Sequence, residues 1–416
     1  MTEAGSPSPL AGRRAAGLLV VLFLVSAFAQ IDRILPFILA EAIKAELGLS
    51  DTLIGLLTGL AFAFCYVLLS LPMARLSDRG SPRIVLVGCM LVWSAMTALG
   101  GAATGFVTLA ATRLGVAIGE AGAVPSSHAI IARRIGPERR GFAIGIFSMG
   151  IPVGTMLGFG LGGWIAETSG WRTALTAAGG AGILIGIATY FATGATPPIP
   201  RPVEAASFRR ESAGLVADPP FRALLVLAVC IGFAAPPFYA FAAPFLIRAH
   251  DFSTAQAGLV FGLSQGVLGA VGTVLGGRRF DRVARTPGSS LFRAPMLAFV
   301  VAGLALAGAL VVGQPWLALV LMMPAMFAFA FTLPFAFGAA HRIAGPGREA
   351  IASSLAMIAS GLIGPTLGPL LVGAASDAAA GMGAANGLAY GLMLVPLACA
   401  ATVAAFRRAD RALDPD

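Results

Sequence analysis

Twelve apolar runs of about twenty residues decide what this chain can become. A run of that length crosses the ~30 Å hydrocarbon core of a bilayer as an α-helix, where only helices and closed barrels satisfy their own backbone. The runs lie near residues 16–38, 52–73, 84–103, 106–130, 141–165, 172–193, 222–246, 256–276, 291–312, 316–338, 351–374 and 384–406. Charged residues make up only 11% of the 416, against about 25% in a soluble globular chain. Too little polar surface is left to cover a water-soluble body of this size. The fold class expected is therefore all-α, a membrane protein with twelve transmembrane helices.

The net charge of +9 invites a nucleic-acid reading, and its distribution answers it. With the N-terminus inside, inner loops and tails hold 23 arginines, while outer loops hold only Lys44, Arg172 and Arg248. Such a bias is the positive-inside pattern, so both termini are expected in the cytoplasm and nucleic acid is excluded as a partner. Arg13-Arg14 followed by "GLLVVLFLVSAFA", with Ala27-Phe28-Ala29, has the form of a signal peptide. Cleavage would leave eleven spans and break the alternation of loop charge, so the stretch is read as a retained first helix. Cys65, Cys89, Cys230 and Cys399 all fall inside spans without zinc-like spacing, and read as small buried apolar side chains.

The longest polar interruption is "GATPPIPRPVEAASFRRESAGLVADPP", residues 194–220. It divides the chain into a six-helix bundle over 1–193, a cytoplasmic linker over 194–220 and a second six-helix bundle over 221–416. The halves look like a repeat. "MARLSDRGSPR" follows span 2 and "GGRRFDRVAR" follows span 8, with Asp78 and Asp281 related by 203 residues. Gly150-Ile-Pro152-Val-Gly154 in span 5 is echoed by Gly364-Pro365-Thr-Leu-Gly368 in span 11. Two six-helix repeats about an axis along the membrane normal are the architecture of the major facilitator superfamily.

"ARLSDRGSPR" is similar to that superfamily's loop signature G-x-x-x-D-R-x-G-R-R, with Ala74 in place of the first glycine and Gly80 one position early. The second copy keeps Gly277, Asp281 and Arg282. "IDR" in span 1, "GLSDTLIGLLTGLAFAFCYVLLSLPMARLSDR" across span 2 and "RLGVAIGEAG" in span 4 resemble the spinster transporters. That narrower likeness covers mainly the first half. The superfamily resemblance implies alternating-access transport, a gating role for Asp78, Arg79 and Asp281, and a monomer. The spinster resemblance implies sphingolipid or lysophospholipid cargo.

Four charges lie inside the membrane: Asp32, Arg33, Arg113 and Glu120. A charge there costs roughly 2.5–3.5 kcal/mol on insertion scales and marks function by default. Asp32 sits about 24 Å into span 1, Arg113 about 10 Å into span 4 from the other side, and Glu120 two turns beyond Arg113. One cavity then holds an arginine between two carboxylates. Burial favours a neutral carboxyl and a nearby arginine a charged one, while arginine itself keeps its proton. Asp32 and Glu120 are accordingly the expected proton carriers, Arg113 their counter-ion, and Arg33 the anchor for an anionic group. In spinster transporters the matching positions are linked to those roles. A structural ion-pair network tying span 1 to span 4 is the alternative.

The second half carries no charge in mid-span. "AAPPFYAFAAPF" in span 7 has three prolines expected to break its outer end, and Phe327, Phe331 and Phe335 repeat every four residues in span 10. Phe327 and Phe331, with Tyr66, His128, Phe238 and Tyr239, are candidate cavity lining; a lipid-facing stripe explains the span 10 phenylalanines equally well. Gly262-Leu-Ser264-Gln-Gly266 matches a nucleophile-elbow pattern and Gly158-Phe-Gly160-Leu-Gly-Gly163 a dinucleotide pattern. Neither has the strand context that its chemistry requires. No cofactor, metal or enzymatic activity is expected.

The residues and the resemblance together point to proton-coupled transport, outward, of an amphiphilic anion such as a sphingolipid or lysophospholipid. The surroundings are membrane lipids, and an arginine-rich, lysine-poor chain looks bacterial, which places it in the cytoplasmic membrane. A multidrug/proton antiporter and a proton-coupled importer of organic acids stay open. From another class, a transporter-like sensor without turnover also fits.

Overall fold

In the computed structural model, which describes residues 12–136, 139–194, 205–286, 290–345 and 348–413, all twelve apolar runs become helices. Span 1 is Gly12–Ile38, span 2 is Asp51–Thr58 with Leu60–Arg79, and span 3 is Pro82–Gly100. Span 4 is Phe106–Glu120 with Ala123–Arg134, span 5 is Arg140–Ser169, and span 6 is Trp171–Thr193. Spans 7 to 10 are Pro219–His250, Thr254–Ala284, Arg293–Ala309 and Pro315–Ala344. Span 11 is Glu349–Gly361 with Ile363–Gly381, and span 12 is Gly387–Leu392 with Leu394–Leu413. Eleven are long and apolar enough to cross a membrane, and span 9 is an apolar helix of 17 residues. Odd-numbered spans leave from the face that carries both ends of the chain, here the terminal face. The loops at 39–50, 101–105, 251–253 and 382–386 form the opposite face.

Two elements differ from the sequence expectation. The prolines of span 7 do not break it: Pro219–His250 is one helix of 32 residues containing Pro236, Pro237 and Pro244. Phe238, Phe241 and Phe245 are all buried around these prolines, and packing against neighbouring helices compensates the missing backbone bonds. The linker also contains a helix, Ala205–Ala217, which packs on spans 7 and 11 and buries Leu215.

The repeat is visible in the contacts. Within the first half, span 5 lies on span 1 where Gly154 faces the Ala27 carbonyl. Within the second, span 11 lies on span 7 where Gly364 faces the Gly232 backbone. Between the halves, span 2 meets span 11 and span 5 meets span 8. A methyl group on Gly55 would overlap the carbonyl oxygen of Pro369, and one on Gly258 would overlap that of Phe159. Gly55 and Gly258 are again 203 residues apart, as are the helix-capping Ser50 and Ser253 at the starts of spans 2 and 8. Such absent side chains allow backbones to approach closely, the usual device of helix pairs in membranes. The contacts between span 2 and span 11 cluster at residues 51–59 and 366–373, the opposite-face end of both helices.

Candidate functional site

The four intramembrane charges converge where spans 1 and 4 approach. Asp32 is 2% exposed, Arg113 6% and Glu120 0%, so three of them are withdrawn from any solvent. Arg33 differs, with 31% of its side chain accessible. Its Nε donates to the Glu120 carboxylate at 2.6 Å. Its guanidinium lies over the ring of Tyr66 at 4.4 Å and near that of Phe62 at 5.4 Å. Arg113 donates from Nη1 to the backbone carbonyl of Asp32 at 3.3 Å, and its guanidinium also stands 5.4 Å from the Phe62 centroid. Phe62 therefore sits between two guanidiniums, and stacks on Tyr66 at 5.6 Å.

This arrangement redraws the pairing read from the sequence. Arg113 stands within reach of both carboxylates, as expected, but the direct partner of Glu120 is Arg33, and Arg113 gives its hydrogen bond to the backbone of Asp32. Adjacent residues on a helix point about 100° apart, so Asp32 turns inward toward Thr97 and Trp93 of span 3 while Arg33 turns to spans 2 and 4. Glu120 is the last residue of its helix, and Gly119 and Gly122 on either side of the break press span 4 against Trp93 and Cys89. The break lets a carboxylate without solvent access meet the one guanidinium of the cluster that has it.

A small apolar cavity of about 20 Å³, lined by Pro36, Ile43, Ile54, Leu57, Leu109 and Arg113, lies beyond the cluster on its opposite-face side. The second half faces span 1 with spans 7 and 8. There Gln265 donates to the Tyr239 hydroxyl at 3.1 Å. Phe238 is buried against Tyr239, Phe261 and Phe329. Phe331 and Phe335 are buried and Phe327 half-buried, so the span 10 stripe packs into the protein rather than onto lipid.

Other sequence candidates stand apart. His128 is exposed on span 4 with its ring edge-on to Phe147. Asp281 is exposed at the terminal-face end of span 8. The side chains of Asp78 and Arg79 lie outside the described residues. Phe62 was not foreseen, because one more phenylalanine in an apolar run carries no signal. A second charged cluster, on the opposite face, was read only as loop charge. Asp51, 2% exposed, accepts from Lys44 at 2.6 Å, from Arg248 at 2.7 and 2.9 Å, and from the Ser376 hydroxyl at 2.6 Å. Arg248 also holds Glu41 at 2.6 and 3.2 Å.

The comparisons with known proteins follow the fold. The family model described as Major Facilitator Superfamily matches residues 20–369. An MFS-type efflux pump of Mycolicibacterium smegmatis is 32% identical over 92% of this chain and 89% of its own. A probable galactarate/D-glucarate transporter of Bacillus subtilis is 26% identical over 76% of this chain and 75% of its own. Among solved structures, a bacterial homologue of the human lysosomal transporter Spinster, inward-facing and occupied, superposes with a TM-score of 0.87 at 27% identity, covering 97% of this chain and 98% of the other. The same description in the unoccupied conformation gives 0.84 at 26% identity, over 96% and 98%.

Proposed function

The chain belongs to the major facilitator superfamily of secondary transporters, which work by alternating access, and on that premise we propose that it carries an amphiphilic, lipid-like organic anion coupled to protons. The observation that supports this most is the ion pair between half-accessible Arg33 and wholly buried Glu120. An anionic headgroup entering the cavity competes with Glu120 for the same guanidinium. A buried carboxylate that loses its partner costs several kcal/mol if it stays charged, so Glu120 takes a proton as Arg33 takes the headgroup. Asp32, equally buried and lying against Thr97 and Trp93, is the second proton site. The greasy part of the substrate finds its complement in the aromatic wall of spans 7, 8 and 10.

The positive-inside bias puts the terminal face in the cytoplasm. The opposite face, where spans 2 and 11 meet, is then the outer one, and it is closed. We assign outward transport because the relative from M. smegmatis is an efflux pump. Anion and proton bind together in this scheme. A second reading, uptake of a small organic acid with a proton, is favoured by the same Arg33–Glu120 pair and by the sugar-acid relative.

Proteoliposomes loaded with a pH dye test both. Addition of a lysophospholipid or sphingosine phosphate is expected to move protons with the substrate, and Asp32→Asn and Glu120→Gln to abolish that movement while the protein stays monodisperse. Proton flux driven by D-glucarate and not by the lipids selects the second reading. Flux undiminished in both variants removes Asp32 and Glu120 from the coupling.

A further inference from the structure

The repeat that relates the glycines of the interface also relates one polar contact on the opposite face. The carboxylate of Asp377, at the end of span 11, accepts from the N–H groups of Asp51 and Thr52 at 3.0 and 2.8 Å and from the Thr52 hydroxyl at 2.5 Å. Glu167, at the end of span 5, accepts from the N–H of Ala255 at 2.8 Å. In the structure span 5 maps onto span 11 by 210 residues, one turn away from the 214 of the glycine motifs, which carries Gly154 to Gly364, Gly163 to Gly373 and Glu167 to Asp377. Span 2 maps onto span 8 by 203 residues, which carries Thr52 to Ala255. The two carboxylates thus make one contact twice: each half sends an acid from its fifth helix onto the first turn of the other half's second helix. The first turn of a helix exposes unpaired N–H groups and the positive end of its dipole, so a carboxylate there holds the partner half in place.

The copies are not equivalent in strength. Beside Asp377 stands the buried Asp51 with its bonds to Lys44, Arg248 and Ser376, and Arg248 reaches on to Glu41. Arg248 and Ser376 belong to the second half, while Glu41, Lys44 and Asp51 belong to the first. On the Glu167 side, Thr254 occupies the place of Asp51, and Glu167 is exposed. Both contacts bridge the halves, so both break whenever the opposite face opens. Lys44 stays with Asp51 when that happens, so opening strands no buried unpaired carboxylate, the situation that makes broken ion pairs costly.

We propose that Asp377 and Arg248 are positioning residues of the transport cycle, the latch that keeps the opposite face closed, and that Glu167 is their weak twin. The test uses the full chain with its four cysteines replaced and spin labels placed by Thr104→Cys and Met382→Cys, one on each half at exposed opposite-face positions. Distance distributions from pulsed electron resonance report the ratio of open to closed. Asp377→Asn loses the charge and half of the acceptors and is expected to raise that ratio about tenfold, the size of a good helix cap. Glu167→Gln is expected to move it less than about twofold on the same scale, and Asp377→Glu to keep the original distribution. Should Asp377→Asn fail to purify as a monodisperse protein, Arg248→Gln takes its place with the same expected shift. An unshifted distribution in whichever of the two is measured, or a Glu167→Gln shift as large, overturns the proposal.

Discussion

Arg33 is asked to do two things that a lysine cannot do together. Its Nε donates to Glu120 while the plane of the guanidinium lies over Tyr66 at 4.4 Å. Lysine keeps the charge and loses the planar face and the fixed fork of donors. A cation over an aromatic face is worth about 0.5–2 kcal/mol, the upper end when desolvated. Arg33→Lys should therefore weaken binding of an anionic substrate by up to roughly thirty-fold, the top of that range, while Tyr66→Phe, which keeps the ring, should change it little. Isothermal titration of detergent-solubilised protein reads both, and equal losses in the two variants would count against the stacked guanidinium as the anchor. The identity of these charges was legible because ionic groups in apolar runs stand out. Their pairing was not. A rise of 1.5 Å per residue gives the depth of a side chain, which sets Asp32, Arg33 and Arg113 at similar depths and Glu120 two turns further along span 4. Which arginine reaches Glu120 depends on the rotation of span 4 about its axis, set by Gly119 and Gly122 against span 3.

At the scale of elements, the twelve helices were legible from hydropathy, and their close approaches were half so. In span 8 Gly258, Gly262 and Gly266 recur every four residues, and Gly55, with Gly59 four residues on, was passed over in span 2. The structure gives it the same task as Gly258. In both places an added methyl meets a backbone carbonyl across the interface between the halves, and backbone cannot step aside as a flexible side chain can. Overpacking of this kind costs about 1–3 kcal/mol. Gly55→Ala and Gly258→Ala should each lower the melting temperature of the protein with its opposite face closed, and Gly17→Ala, which meets nothing within 4 Å, should not. Thermal unfolding followed by intrinsic fluorescence checks the three side by side. The short helix Ala40–Leu47 on the opposite face is tied down by different means. The Trp171 indole and then Arg172 hold the Glu46 carboxylate below its ordinary range. A lowered carboxylate contributes above its unfolded value and is lost only as the pH falls through the lowered one, so this tie persists through the neutral range. Proline misled the reading of span 7 because its helix-breaking penalty was judged without the neighbours that surround it.

For the whole molecule, the two-fold plan was written in the chain at Asp78 and Asp281, yet the state it adopts was not. Closure of one face is a property of how the halves lean on each other, and it rests on Asp377, Arg248 and Asp51, residues more than a hundred positions apart that no local pattern links. Orientation in the membrane, by contrast, rests on composition alone. The terminal face collects the arginines of the loops after spans 2, 4, 8 and 10, and the opposite face has three basic residues. All three are engaged: Lys44 with Asp51, and Arg248 with Glu41 and Asp51. The third, Arg172, is bonded to Glu46. Each basic residue of that face is thus paired with a neighbouring carboxylate. A green fluorescent protein fused after Asp416 should fluoresce in a bacterial host, since it folds only in the cytoplasm, and alkaline phosphatase at the same place should be inactive. The same two reporters inserted after Gly313, in the loop between spans 9 and 10, should give the reverse. If phosphatase were active after Asp416, the closed face would be the cytoplasmic one and the state outward-facing, and the Asp377 latch would then guard the inner gate.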